Sequence, residues 1–295
     1  MRNIFIKELI KAAEKNKKIV LIVGDLGYGV VEPFKKRFPN RFYNAGVAEQ
    51  SMMGIASGLA LRGFHVFVYS IANFPTFRCA EQIRNDIDYH KLNVTIVSVG
   101  SGLGYGNLGY SHHGIQDYSL MRSFPNMLIA SPSDNMELKS CMRYIINNSQ
   151  PFYLRLDKSL EINKLKNNPN IYPGKLVKHS VSQKLKKNII LSTGSTIKNC
   201  IKLLKLKKFR DYDWYSIPMW GMKIKKNQFK KIIIYKNIIT VESHLQDGGF
   251  GSWVGEIINS KTYKSKPILI NKFLNDEVVG KVGSESYLDK LYGPK

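Results

Sequence analysis

At 295 residues, with 43% hydrophobic and 11% aromatic side chains, the chain carries enough apolar material for a folded core, most comfortably as two domains, and is not a disordered polymer. No run of about 18 apolar residues occurs, so no membrane span is expected, and the N-terminus lacks the apolar core and cleavage site of a signal peptide. The net charge of +23 is spread as short lysine clusters at Lys15–Lys18, Lys184–Lys187 and Lys205–Lys208, mixed with Asn and Ile rather than drawn into one basic arm, so nucleic acid is an unfavoured partner while an acidic or phosphorylated ligand fits.

The three cysteines, Cys79, Cys141 and Cys200, are scattered. They suggest neither a disulfide framework nor a cysteine metal site, and a reduced cytoplasm is the expected setting. The chain opens on an amphipathic helix, and then strand and helix patterns alternate. Ile19–Val23 is a β-branched strand that runs into Gly24-Asp25-Leu26-Gly27. A polar helix at Glu32–Arg37 and a short strand at Phe42–Asn44 follow. The spacing of Met52, Met53, Ala56 and Ala60 predicts a helix from Ala48 to Arg62 with Glu49 on its apolar stripe. Ser51, Gly54 and Gly58 form a second, nearly side-chain-free face. Phe64–Tyr69 reads as a strand, Asn73–His90 as one long helix entered through Pro75, and Val94–Val99 as another strand. A Gly-rich loop spans Gly100–Gly114. A short helix near Asp117–Ser123, a strand at Met127–Ala130, a helix from Ser133 and a strand at Phe152–Leu156 complete the first half. The polar stretch at 158–175 reads as a linker between domains at 1–157 and 176–295. Beyond it, strands are expected at Asn188–Leu191, Asp213–Ile217, Ile238–Val241 and Pro267–Ile270, with helices after Ser195 and Gly251. Such alternation implies an α/β chain of two parallel-sheet domains with helices on both faces, and ligands outside the carboxyl ends of the strands.

Several motifs meet at that edge. Gly104-Tyr-Gly106-Asn-Leu-Gly109 satisfies a dinucleotide pattern, yet it begins some residues past its strand and does not open a helix, so nicotinamide binding is not expected. His112 and His113 lack the Cys or Glu neighbours of a metal site. One of the two imidazoles is instead expected to face a cleft for proton transfer or for bonding to substrate oxygens. Phe74 and Phe77, three residues apart, suit either core packing or a stacking wall for a flat heterocycle. Arg78, Glu81, Arg84 and Asp88 read as a salt-laced helix surface. Glu49 is a carboxylate on a buried-looking face, which is costly unless something pairs with it.

Gly24-Asp-Leu-Gly27, Asn44-Ala-Gly-Val-Ala-Glu-Gln50 with Gly54-Ile-Ala-Ser-Gly-Leu-Ala60, Gly109-Tyr-Ser-His112, Pro125-Asn-Met, Pro132-Ser-Asp and Glu242 through Gly251 resemble the transketolase family in order and spacing. The likeness covers essentially the whole chain, as a thiamine-diphosphate pyrimidine-binding domain plus a transketolase C-terminal-like domain. The family's Gly-Asp-Gly…Asn motif for Mg²⁺ and the diphosphate is not found, so the resemblance implies the C-terminal subunit of a split transketolase. By position, Glu49 matches the glutamate that bonds the cofactor's aminopyrimidine and promotes loss of the thiazolium proton. Phe74 and Phe77 match the aromatic wall, and Asp25 an acidic residue near the cofactor. His112, with His113 beside it, matches a histidine facing substrate oxygens. Arg155 and, more loosely, Arg2 match arginines that hold a sugar phosphate.

The implied assembly is a homodimer core completed to a heterotetramer by an N-terminal diphosphate-binding subunit that holds Mg²⁺, sharing thiamine diphosphate and acting on a sugar or ketone. Leu108, Gly100 and Gly29 stand where the family has substrate-binding polar groups, so the usual pentose phosphates are not the expected substrates. Two other readings stay open: the β chain of a 2-oxoacid dehydrogenase, and a non-catalytic partner-binding subunit.

Overall fold

The computed structural model describes residues 1–158, 164–180, 187–260, 262 and 266–294. Residues 159–163 of the expected linker, and Lys184 and Lys186 of the second lysine cluster, lie outside the described residues. In chain order the elements are α1 (Arg2–Lys15), β1 (Ile19–Val23), α2 (Glu32–Arg37), β2 (Phe42–Asn44), α3 (Glu49–Leu61), β3 (His65–Ile71), α4 (Ala80–Gln82), β4 (Val94–Val99), α5 (Asp117–Met121), β5 (Leu128–Ala130), α6 (Asn135–Asn147) and β6 (Phe152–Leu156). There follow β7 (Val177–Ser180), β8 (Asn188–Ser192), α7 (Ile197–Lys205), β9 (Asp213–Ser216), β10 (Met219–Trp220), α8 (Lys225–Ile232), β11 (Asn237–Val241), α9 (Phe250–Asn259), β12 (Ile268–Lys272) and α10 (Glu285–Tyr292).

Among the described residues the strands form two sheets, in the orders β10-β5-β6-β4-β3-β1-β2 and β12-β11-β8-β9-β7. Strands β1, β3, β4 and β6 are buried at every position. Near-continuous apolar, β-branched runs such as Ile19-Val-Leu-Ile-Val23 suit that setting, because helices cover both faces of a parallel sheet. On one face, Phe5 and Leu9 of α1 pack with Phe67 of β3, Leu154 of β6 and Leu138 of α6. On the other, Met52, Met53 and Ala56 of α3 pack with Ile22, Val66 and Val68. The apolar spacing within α3 thus produces the buried stripe expected of it, while Gly54, Ile55, Gly58 and Leu61 are left facing outward.

Both sheets are mainly parallel, but each carries an antiparallel edge strand, β10 on β5 and β7 on β9. Neither strand was expected from the sequence, since two to four residues are too few to show a period. Strand β10 lies beyond the linker in sequence yet pairs with β5 of the first sheet through Met219–Ala130 and Trp220–Ile129. One apolar cluster runs from Met52 and Val68 through Tyr118 to Trp220 and Trp253. The two halves interlock. No helix among the described residues is long and apolar enough to cross a membrane.

The long helix expected over Asn73–His90 is broken. The chain turns through Asn73–Thr76, makes a 3-10 turn at Phe77–Cys79, passes through the short α4, and widens to a π-helix at Ile83–Asp88. Pro75 lacks an N–H, and the Thr76 hydroxyl donates back to the Ala72 carbonyl at 2.8 Å. The expected salt-laced surface also changes. Asp88 is buried and accepts the Asn126 backbone N–H at 2.9 Å, while Arg78 turns to Glu49.

Candidate active site

Residues from the carboxyl ends of β1, β2 and β3 converge at the start of α3. Glu49 is the first residue of α3 and is 3% exposed. Its Oε2 accepts from Arg78 Nη1 at 3.1 Å, while Oε1 is buried without a hydrogen-bond partner. Beside it, Ser70 Oγ is likewise buried and unpartnered. Gly24 separates the two, and a Cβ added there would meet Ser70 Oγ at 3.5 Å and Glu49 Oε1 at 3.7 Å. An unsatisfied carboxylate oxygen costs on the order of 1–3 kcal/mol or more in a buried setting, so its persistence marks a place where something else is meant to bond.

Arg78 links this carboxylate to an aromatic wall. Its guanidinium sits 3.9 Å from the centre of the Phe74 ring. The His112 imidazole meets the same ring edge-on, with centroids 5.1 Å apart. Burial, and then the charge of Arg78, push the His112 pKa down from its ordinary value, which keeps the ring neutral and able both to donate and to accept. Ser111 Oγ stands 2.9 Å from His112 Nδ1. Because the helix is broken after Pro75, Phe74 and Phe77 do not share a helix face. Phe74 is half-buried, and Phe77 is exposed and lines a neighbouring cavity with Gln116, Leu245 and Phe273.

Asp25 lies on the other side of Gly24, in the left-handed region with φ 53°. Its carboxylate accepts from Asn44 Nδ2 at 2.9 Å and from the Tyr28 hydroxyl at 3.0 Å. The Asn44 amide first, and then Tyr28, hold its pKa below the usual carboxylate value. Asn44 Oδ1 in turn accepts the backbone N–H groups of Asp25 and Gly46, each at 3.0 Å. Asn44 thereby staples the Asp25 loop to the segment that leads into Glu49.

The pattern described as "Transketolase, pyrimidine binding domain" matches residues 1–161, more than half of the chain. The chain belongs to the transketolase family. Over 99% of its length, and 92% of the relative's, it is 34% identical to a Methanocaldococcus jannaschii protein provisionally named a transketolase C-terminal section. It is also 34% identical, over 88% of its length and 83% of the relative's, to one of the subunits of the apulose-4-phosphate transketolase of Actinobacillus succinogenes. Among solved structures, one described as a split gene transketolase, inactive beta4 tetramer, superposes with a TM-score of 0.83 at 28% identity, covering 100% of this chain and 93% of that one.

Within this transketolase frame, the structure brings Glu49, Phe74 and His112 together, with Asp25 at the next strand end. Two expected substrate ligands are placed elsewhere. His113 turns inward, is 1% exposed and keeps both ring nitrogens buried without a hydrogen-bond partner, whereas His112 is the imidazole that meets Phe74. Arg155 is fully enclosed. It donates through Nε to Asp117 Oδ2 at 2.7 Å, through Nη1 to Tyr118 and Ser243 Oγ, and through Nη2 to Asp117 Oδ1 and the carbonyls of Gly114 and Ser243. Burial works against its charge, yet Asp117, Tyr118 and Tyr153 outweigh burial and raise its pKa further. A group so committed has no donor left for a sugar phosphate; it clamps the end of β6 to Ser243, which follows β11. The cation at this strand end is Lys158, with Nζ 4.5 Å over the Tyr105 ring of the Gly-rich loop. Arg2 is close by and donates to the Lys158 carbonyl at 3.2 Å.

Sequence reasoning missed Arg78, Asn44 and Lys158. Arg78 looked like part of a helix surface, and only the break after Pro75 directs it to Glu49. The Gly-rich loop explains two further features. Gly100 has φ +90°, and a Cβ there would strike the Tyr105 ring at 2.1 Å, so that ring fills the space a histidine would need. Gly106 packs onto the start of α10, where a Cβ would lie 2.6 Å from the Gly283 carbonyl oxygen. Of the dinucleotide-like pattern, Gly106 therefore serves packing and Gly109 supplies a positive φ of 76°.

Proposed function

We propose that this chain is the catalytic-glutamate subunit of a split transketolase, transferring a two-carbon ketol unit between sugar-like substrates with thiamine diphosphate shared with a partner subunit that holds Mg²⁺. The observation that carries this reading is Glu49 Oε1, buried and unbonded beside Phe74 and Arg78. A flat heterocycle with a ring nitrogen fits such a place: the carboxyl group supplies the hydrogen bond, and the aromatic wall covers the ring face. When bound, the cofactor supplies an electron sink that lets a carbon–carbon bond beside a ketone carbonyl break. Glu49 would hold a proton at the pyrimidine nitrogen, Phe74 would cover the ring face, and Asp25 with Asn44 would shape the loop beside it. Neutral His112 would hydrogen-bond substrate oxygens.

Partner dependence is supported by the names of relatives of similar length, one called a C-terminal section and another a transketolase subunit. The outward face of α3 is open at Gly54 and Gly58, where an added Cβ would meet nothing within 4 Å. Val47 and Leu61 beside it are 73% and 66% exposed. Such a surface suits close packing of two copies about a two-fold axis, which gives a homodimer core and, with two partner subunits, a cytoplasmic heterotetramer. The test is assembly. The purified chain alone should show no turnover and bind thiamine diphosphate poorly, and adding the partner should restore both with a Mg²⁺ requirement. Tight metal-dependent cofactor binding by the chain alone, measured calorimetrically, would end this reading.

Lys158 with Arg2 takes over the anion-holding role first expected of Arg155. Lys158→Ala should raise KM for a phosphorylated substrate while leaving kcat nearly unchanged, because binding far from the reacting atoms is uniform between ground and transition states. A fall in kcat at constant KM would assign Lys158 to the chemistry instead.

A further inference from the structure

A second cleft lies between the two domains. It is about 220 Å³ in volume and shares no wall residue with the cavity at Glu49. In the second sheet β8 lies between β9 and β11. The chain leaves β8 through α7 toward β9 on one side, and β11 stands on the other. This is a topological switch point, and the crevice outside such strand ends is where open α/β sheets bind ligands. Ser195 and Lys198, which follow β8, and Ser243, which follows β11, all line the cleft.

Three features give it the chemistry of an anion site. Helix α7 spans nine residues and enters from Thr193-Gly-Ser-Thr196. Thr196 at its N-cap makes no side-chain cap bond; its hydroxyl turns back to the Thr193 carbonyl at 3.3 Å. The first-turn amides of Ile197, Lys198 and Asn199 therefore lack a side-chain acceptor at the positive end of the helix. Lys198 is exposed and enters no ion pair among the described residues, whereas Lys202 is paired with Asp289 at 3.6 Å. Independently, Ser101 on the facing wall is 5% exposed, and its Oγ has no hydrogen-bond partner. A buried hydroxyl left unbonded at a cleft wall points to a polar occupant. The remaining wall holds the carboxylates Asp157, Glu285 and Asp289, which repel a bare anion but accept from hydroxyl groups.

We propose that this interdomain cleft binds a small phosphorylated polyol, with its phosphate at the α7 amides, Ser195 and Lys198 and its hydroxyls against Ser101 and the carboxylate wall. Its volume suits a five-carbon chain with one phosphate. Ser101 and Leu103 belong to the same Gly-rich loop that carries His112, so the occupant touches the stem of a loop whose far part serves the candidate active site.

The test is calorimetric titration of the full chain with two probes, inorganic phosphate and ribitol 5-phosphate. Ribitol 5-phosphate should bind about tenfold or more tightly than phosphate. Lys198→Glu and Ser195→Asp should each weaken it at least about tenfold, whereas His112→Ala should leave it unchanged. Lys198 is exposed, so its variant keeps the fold even where Ser195→Asp does not, as circular dichroism would show. Absence of saturable binding by either probe, wild-type affinity in Lys198→Glu, or loss of binding in His112→Ala would each overturn the proposal. Equal affinity for the two probes would overturn its polyol part.

Discussion

Two arginine–carboxylate pairs in this chain have similar partners and opposite surroundings. Arg155 and Asp117 are both fully buried, and every polar atom of the guanidinium is engaged by protein. The Arg78 and Glu49 side chains are 48% and 2% exposed respectively, joined by a single 3.1 Å contact, with one carboxylate oxygen left unbonded. The first pair is closed on itself and ties β6 to Ser243, beyond β11. The second is open on one side: its carboxylate is buried with one oxygen unbonded, and its arginine is half-exposed. Ion pairing alone therefore does not distinguish the two pairs; completeness of hydrogen bonding does.

The sharpest way to break this comparison is at Glu49. Glu49→Gln, assayed with the partner present, should cut turnover about 10²–10⁴-fold, the usual loss for a general acid–base group, with circular dichroism unchanged. Near-wild-type exchange of the thiazolium proton in this variant would remove Glu49 from the chemistry.

At the closed pair the expected loss is in stability. Arg155→Met leaves Asp117 as a buried carboxylate without its counter-charge, which costs about 3–5 kcal/mol. Denaturant unfolding reads this as a lower midpoint, and adding Asp117→Asn should recover part of it. A variant that unfolds like wild type yet loses only substrate affinity would return Arg155 to the substrate site.

Arg78→Gln should be the mildest. Its half-exposed contact to Glu49 and its stacking on Phe74 together contribute about 1 kcal/mol or less. Its charge is also one of the two causes that lower the His112 pKa. Removing it should move the His112 titration upward, as followed by the imidazole resonances. A downward shift, or a destabilisation as large as that of Arg155→Met, would erase the distinction between the pairs.

Much of the fold and half of the site were legible because they rest on local pattern. The β-branched run Ile19–Val23, the stripe Met52-Met53-Ala56-Ala60 and the alternation of elements reflect side-chain periods that the chain carries wherever it folds. Glu49 stood out for the same reason, as a charge on an apolar stripe, Phe74 and His112 by their place at strand ends, and Asp25 through the family resemblance. The break after Pro75 was less visible, because one proline and one threonine hydroxyl outweighed a segment of otherwise helical composition.

What tertiary structure alone decided is which polar group is already spoken for. Arg155 and Lys158 are three residues apart and equally basic, yet β6 directs the first into Asp117, Tyr118 and Ser243 and leaves the second beside Tyr105. His112 and His113 are adjacent, and the turn of the loop buries one and not the other. Strand β10 joins the first sheet from beyond the linker. These outcomes depend on distant partners, such as Ser243, 88 residues along the chain from Arg155. Their approach is set by packing and hydrogen-bond satisfaction rather than by any repeat along the chain. Composition and period determined the two sheets and the place of the glutamate; only the folded contacts separated residues that hold the protein together from residues free to hold something else.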